Sequence, residues 1–397
     1  MTHDRASDFD AIDPREDFDS AHRQYAELRA RCPVAWSNDH NGFWALTRHA
    51  DVLTALADVD TFVTSVQNVV PKVAFTGRRP PLHFDPPEHT AYRAVLNPLL
   101  TAERVAVLEP MVRAIAAELL APLIDAGRAD ICQQFATPLP VAVFARWMGL
   151  PQALEAELAI AGPAFVKAVE SGDSEAMKPT SLALYEIARQ LVALRQAAPL
   201  DAAQDPTSAM LAARRDDGSP LPADMILGMV RQVLVVGIVA PTVMMGSIVI
   251  HLSRDRDLQA RLRAEPALVP AAIEEFLRLY TPYRGFARTA KREVCLGGRT
   301  IAKDEPIALV YASANRDESV FPEPGRFMLD RANLKEHIAF GRGPHYCAGA
   351  ALGRLELIVM LDELLARTAS FEVEGEPLMS PYPEMGPWSV GLRLMPR

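Results

Sequence analysis

Residues 340–349 read Phe-Gly-Arg-Gly-Pro-His-Tyr-Cys-Ala-Gly, and a long apolar periodic segment begins directly after them. Gly341, Gly343 and Gly349 suit backbone at positive φ, or backbone lying against a flat partner. The stretch therefore reads as a tight loop presenting Cys347 at the start of a helix. Unpaired N–H groups and the positive end of the helix dipole favour thiolate over thiol there. Two other groups draw attention. His89 and Arg93 stand at i and i+4 in a segment opened by Asp85-Pro86-Pro87-Glu88, which puts them on one helix face. Glu275 and Arg278 stand at i and i+3, within pairing distance on another helix.

A thiolate held on a rigid loop under a planar surface is what a haem iron needs as its fifth ligand, and thiolate donation helps break an O–O bond. A lone cysteine is more often buried and inert, but the neighbours of Cys347 point elsewhere. The segment resembles the haem-binding loop of cytochromes P450, Phe-Gly-x-Gly-x-His-x-Cys-x-Gly, with Phe340, Gly341, Gly343, His345, Cys347 and Gly349 filling every fixed position. The resemblance implies haem b with Cys347 as the axial metal ligand and Phe340, His345 and Gly349 around the cofactor. It makes His89 and Arg93 the pair that grips a haem propionate, and places Arg288 where a second cation reaches a propionate. Glu275 and Arg278 become a buried structural brace, which Arg326 in the meander before the loop is expected to join.

The long apolar helix, about 222–254, departs from the family. Members carry Ala-Gly-x-(Asp/Glu)-Thr there, whose acid and alcohol deliver protons to the oxygen being activated. This chain has Val236-Gly237-Ile238-Val239-Ala240-Pro241-Thr242. Registered on Gly237, the acid position is Val239 and the alcohol position is Ala240, and neither side chain relays a proton. Thr242 lies two residues on, turned about 200° from the alcohol position in a helix. Pro241 has no N–H to offer the Gly237 carbonyl, so the helix should kink and the freed carbonyl is a place for an ordered water. Gly237, Val239, Ala240, Pro241 and Thr242 are thus the candidate catalytic stretch. Val236, Arg284 and Phe286, with Val239 and Ala240, are candidate walls of a mostly apolar substrate pocket.

The elements that position these residues follow from composition and periodicity. The chain has 397 residues, 49% of them hydrophobic, and mean hydropathy near zero, which describes a protein with an ample core. A net charge of −9 argues against a nucleic-acid partner. Four cysteines, Cys32, Cys132, Cys295 and Cys347, lie far apart and suit a reducing compartment without structural zinc. Residues 1–20 are acidic, carry no apolar run and are expected to be flexible, and the protein is expected in the cytoplasm. Val233 to Ile250 is eighteen residues without a charge, but Pro241, Thr242 and Ser247 favour a buried core helix over a membrane span.

Strands are expected at Val34–Ser37 and Phe43–Thr47 around an Asn-Asp-His-Asn-Gly turn, then a helix over Arg48–Ala57 and an irregular segment over 59–85. Helical periodicity dominates from Ala102 to Ala198. Alternating apolar residues over 282–312 with Gly297-Gly298 indicate a strand pair or ribbon, and helix 350–367 precedes final strands near 388–395. The fold class is mainly α with small β-sheets (α+β). The resemblance spans nearly the whole chain and implies a single cytochrome P450 domain over 1–397, with haem between the long central helix and the cysteine-loop helix.

The function this implies is a haem-thiolate monooxygenase that inserts one oxygen atom of O2 into a small or medium apolar organic molecule. Electrons would come from a separate ferredoxin and its ferredoxin reductase, docking an acidic ferredoxin near Arg342 and Arg354, and the enzyme is expected to be a monomer off the membrane. Two other readings stand beside it: a peroxygenase or peroxidase using hydrogen peroxide, because the proton-relay residues are missing, and a haem protein that binds a ligand without turnover.

Overall fold

The computed structural model describes residues 5–12, 17–72, 76–171 and 173–397. They fall into two compact units, one of Met1–Ala74, Pro270–Cys347 and Pro377–Pro387, the other of Phe75–Val269, Ala348–Glu376 and Trp388–Arg397.

The first unit is built on a mixed sheet. Val34–Ser37 and Phe43–Leu46 pair antiparallel across a turn in which His40, Asn41 and Gly42 all take positive φ. Gly42 has no alternative: a Cβ would lie 2.5 Å from the Trp36 ring. Phe43–Leu46 also pairs in parallel with Pro306–Leu309, which pairs antiparallel with Phe286–Ala290, and Phe62–Val63 forms the far edge. Alternation along the strands sends Phe43 and Ala45 into a core shared with Tyr25 and Leu28 of the helix Ser20–Arg31. Trp44 and Leu46 face the other way, against Val52 and Leu56 of the helix His49–Ala57. The expected strand pair over 282–312 is therefore two things, a central part of this sheet and a small ribbon, Val294–Leu296 with Arg299–Ile301, turned through Gly297 and Gly298 at φ 53 and 76. Residues 1–4 and 13–16 of the acidic N-terminus lie outside the described residues. Between them Phe9 and Ala11 are buried, and Asp39 Oδ2 accepts the Ala11 N–H at 2.6 Å.

The second unit is helical, with one small sheet of Arg128–Asp130, Gly391–Pro396 and Thr368–Val373. The helix Ala350–Arg367 packs on Glu109–Ala126 and on Val239–Arg254, while Gln152–Glu170 and Ser174–Ala197 pack against each other. The expected continuous helix over 222–254 is two helices, Ala223–Val233 and Val239–Arg254. Turns over 234–238 separate them, with the Val235 N–H donating to Gln232 and Ile238 to Val235, three residues back. The sequence signal was there. Pro241 fits only in a first helical turn, where its missing N–H costs nothing, so the second helix begins just before it. No helix among the described residues is long and apolar enough to cross a membrane.

Candidate functional site

In the first unit the loop before Cys347 is closed by short backbone bonds. Gly341 N–H donates to Ile338 at 2.9 Å, Tyr346 to Gly343 at 3.0 Å, and Cys347 itself to the Phe340 carbonyl at 2.9 Å. Gly341 and Gly343 sit at φ 71 and 73, where a side chain is strained. Gly343 also passes close to the helix His49–Ala57, since a Cβ there would come 3.1 Å from the Leu56 carbonyl. Gly349 differs: at φ −87 it caps the helix Ala350–Arg367 without using glycine's left-handed freedom. Cys347 is exposed and in no disulfide, His345 is half-buried in the single turn Gly343–His345, and the Phe340 and Tyr346 rings lie 6.5 Å apart.

The sheet brings a buried cation to the same unit. Arg288, on Phe286–Ala290, donates from Nη1 to the Ala287 carbonyl at 2.9 Å and bonds the Tyr311 hydroxyl. Burial pushes the Tyr311 phenol up while Arg288 opposes the shift. That hydroxyl lies 3.4 Å from the place a Gly341 Cβ would take, so Tyr311 links the arginine to the loop. Sequence reasoning missed Tyr311, which looked like one more apolar position of a strand. Phe286 is half-buried, its ring 4.4 Å from Tyr283 and 5.6 Å from Tyr311. Arg284 is buried with its guanidinium 5.3 Å from the Tyr382 ring.

Glu275 and Arg278 are fully buried and doubly bonded, at 2.8 and 2.7 Å. The third member is Arg331, whose Nε reaches Glu275 Oε1 at 3.0 Å. Arg326 is not in the brace through its side chain, which pairs at the surface with Glu323 at 3.1 Å. Only its carbonyl takes part, accepting from Arg331 at 2.8 Å and Arg278 at 3.3 Å. One carboxylate shared by two buried guanidiniums, whose remaining donors go to carbonyls, is the arrangement that makes buried charge tolerable.

In the second unit the helix Glu88–Leu96 carries His89, buried, and Arg93, half-buried, one turn apart. At the interruption, Val236 is exposed and Gly237, Val239 and Ala240 half-buried. Gly237 lies under Phe144, where a Cβ would meet the ring at 2.3 Å. Thr242 is buried. Its hydroxyl donates to the Ile238 carbonyl at 2.9 Å and lies 3.1 Å from Thr137 Oγ1, both groups buried. Thr242 therefore stitches the second helix's first turn to its neighbour. Val239 and Ala240 supply no donor.

Comparison with known proteins decides the family. The cytochrome P450 family model matches residues 176–396, more than half of the chain. The chain is a cytochrome P450. It is 32% identical to cytochrome P450 107B1 of Saccharopolyspora erythraea over 90% of this chain and 89% of that protein. It is 30% identical to linalool 8-monooxygenase of Pseudomonas putida over 89% of this chain and 90% of that one. Among solved structures it is similar to CYP109Q5 from Chondromyces apiculatus, with a TM-score of 0.88, 28% identity and 98% of each chain covered. The fold is the P450 fold and the protein an oxidoreductase of the monooxygenase kind, binding haem b through an axial cysteine thiolate. The residues present fit that cofactor. A thiol stands exposed on a loop closed by three backbone bonds, and His89, Arg93, Arg288 and His345 are donors of the kind that hold carboxylates.

Proposed function

We propose that this P450 inserts one oxygen atom of O2 into a small or medium organic molecule, with electrons from a separate ferredoxin and its reductase. Cys347 is the axial ligand in this reading, and the closed loop that presents it is the observation that carries it. Haem held there would supply O–O cleavage assisted by thiolate donation. His89, Arg93, Arg288 and His345 hold its propionates by charge-assisted bonds, with Phe340 and Gly349 beside the ring. Val236, Val239, Ala240, Phe286 and Arg284 line the substrate's side.

Protons take an unusual route. With Val239 and Ala240 in place of acid and alcohol, and the Thr242 hydroxyl bonded to Ile238, the relay passes to the Gly237 carbonyl. Pro241 gives that carbonyl no i+4 N–H, so it orients a water, or a polar group of the substrate, as proton donor. The ferredoxin meets a basic patch at Arg342, which is exposed and 3.9 Å from Glu336. Such a patch mainly raises the association rate.

The same apolar stretch supports a second reading, a peroxygenase that draws on hydrogen peroxide and needs no proton relay of the usual kind. Product formed per NADH with ferredoxin and O2, set against product formed with peroxide alone, tests the choice. Faster turnover on peroxide would replace the first reading with the second.

A further inference from the structure

Arg231, in the last turn of Ala223–Val233, is fully buried. Its Nη2 donates to Ser181 Oγ at 3.0 Å, while Nε and Nη1 have no hydrogen-bond partner among the described residues. The guanidinium lies 4.6 Å from the Phe165 ring and 5.7 Å from the Tyr185 ring, and the buried Tyr185 hydroxyl likewise has no hydrogen-bond partner there. Four other buried arginines have acids: Arg278 and Arg331 share Glu275, Arg195 has Asp205 at 2.9 Å and Arg29 has Glu318 at 3.0 Å.

The charge that acts on Arg231 is of its own sign, that of Arg79. Arg79 and His83 lie 3.3 Å apart, and Arg78 is beside them. Burial, with Arg79 adding to it, draws the Arg231 guanidinium down to about 9. Burial together with Arg79, Arg231 and Arg78 drives the His83 imidazole to about 3. A buried cation among cations is unfavourable unless an anion completes the set.

The surroundings are built to hold this geometry. Gly228 is one turn before Arg231, and a Cβ there would strike the Arg78 carbonyl at 2.2 Å, so the 76–84 segment lies directly on the helix. Gly77 meets the Tyr185 hydroxyl in the same way, at 2.5 Å, and Thr76 and Ser181 hydroxyls are 2.7 Å apart. Arg78 is exposed, Arg79 half-buried and Arg231 buried, so positive charge extends from the surface inward.

We propose that this cluster binds the carboxylate of an organic-acid substrate, with Arg231 as the principal specificity residue and Arg79 and Tyr185 assisting. The substrate is then an amphipathic acid rather than a neutral apolar molecule, a reading that rests on the monooxygenase assignment.

Calorimetric titration of the haem-loaded full chain with decanoate and phenylbutyrate, each against its amide, tests this. At least one acid should bind about tenfold more tightly than its amide, as expected for hydrogen bonds to a charged group. Arg231→Met should erase the preference while leaving the carbon-monoxide spectrum unchanged and the thermal midpoint equal or higher. Arg79→Gln, at a half-exposed position, should weaken the preference and keeps the test open if Arg231→Met does not fold. Acids that bind no better than their amides, or a preference that survives both variants, would overturn the assignment. Inorganic phosphate that binds as tightly as the acids would make this a free-anion site and overturn it too. Because heat is read rather than turnover, loss of the thiolate spectrum in wild type would sink the monooxygenase reading without deciding this one.

Discussion

The cysteine loop and the interrupted helix solve opposite problems with the same two residue types. In the loop, glycines at positive φ let the chain close on itself, so that a nucleophilic side chain is displayed. At residues 234–241, Gly237 and Pro241 open a helix, and the groups displayed are backbone and aliphatic. The first region keeps every residue its chemistry needs. The second carries Val239 and Ala240, neither of which relays a proton, at a break between two helices. In the proposed function, presenting the metal ligand is thus strictly specified, whereas proton delivery is handed to water or substrate.

The brace behind the loop should give the largest effect. Glu275→Ala leaves two buried guanidiniums without their acid, and unfolding experiments should show a loss of about 3–5 kcal/mol or no folded protein. Arg331→Met should remain markedly destabilising, while Arg326→Met, which touches only surface Glu323, should leave stability unchanged. If the two arginine variants behave alike, the brace is wrongly drawn.

At the interruption the effects should be smaller. Gly237→Ala forces a methyl into the Phe144 ring and should cost about 1–3 kcal/mol. Thr242→Val removes a buried bonded hydroxyl and should cost about 1–2 kcal/mol without altering product per NADH. A collapse of coupling in Thr242→Val alongside intact coupling in Pro241→Ala would make Thr242 the relay and refute the water route. The smallest expected change is from Val239→Asp with Ala240→Thr, which should raise coupling for poor substrates more than for good ones.

Much of this was legible in the sequence, for a local reason. The loop, the helix of His89 and Arg93, and the hairpin at 34–46 are contiguous stretches whose residues dictate their own backbone. What stayed hidden depends on distant packing. Arg326 sits three residues from Glu323 and takes that neighbour, leaving Glu275 to Arg331. No local rule decides between two arginines so close in one meander. The break at 234–238 was masked by an unbroken apolar run, although Gly237 and Pro241 marked its end. Arg231 was the plainest unused signal, a lone charge at the border of that run, which the fold buries without an acid partner among the described residues.

The central claim is that Cys347 is the axial thiolate. The reduced carbon-monoxide complex of the purified protein should show the thiolate-specific Soret band, and Cys347→Ser should lose it. A Cys347→Ser protein that retains the wild-type spectrum would contradict the account at its root.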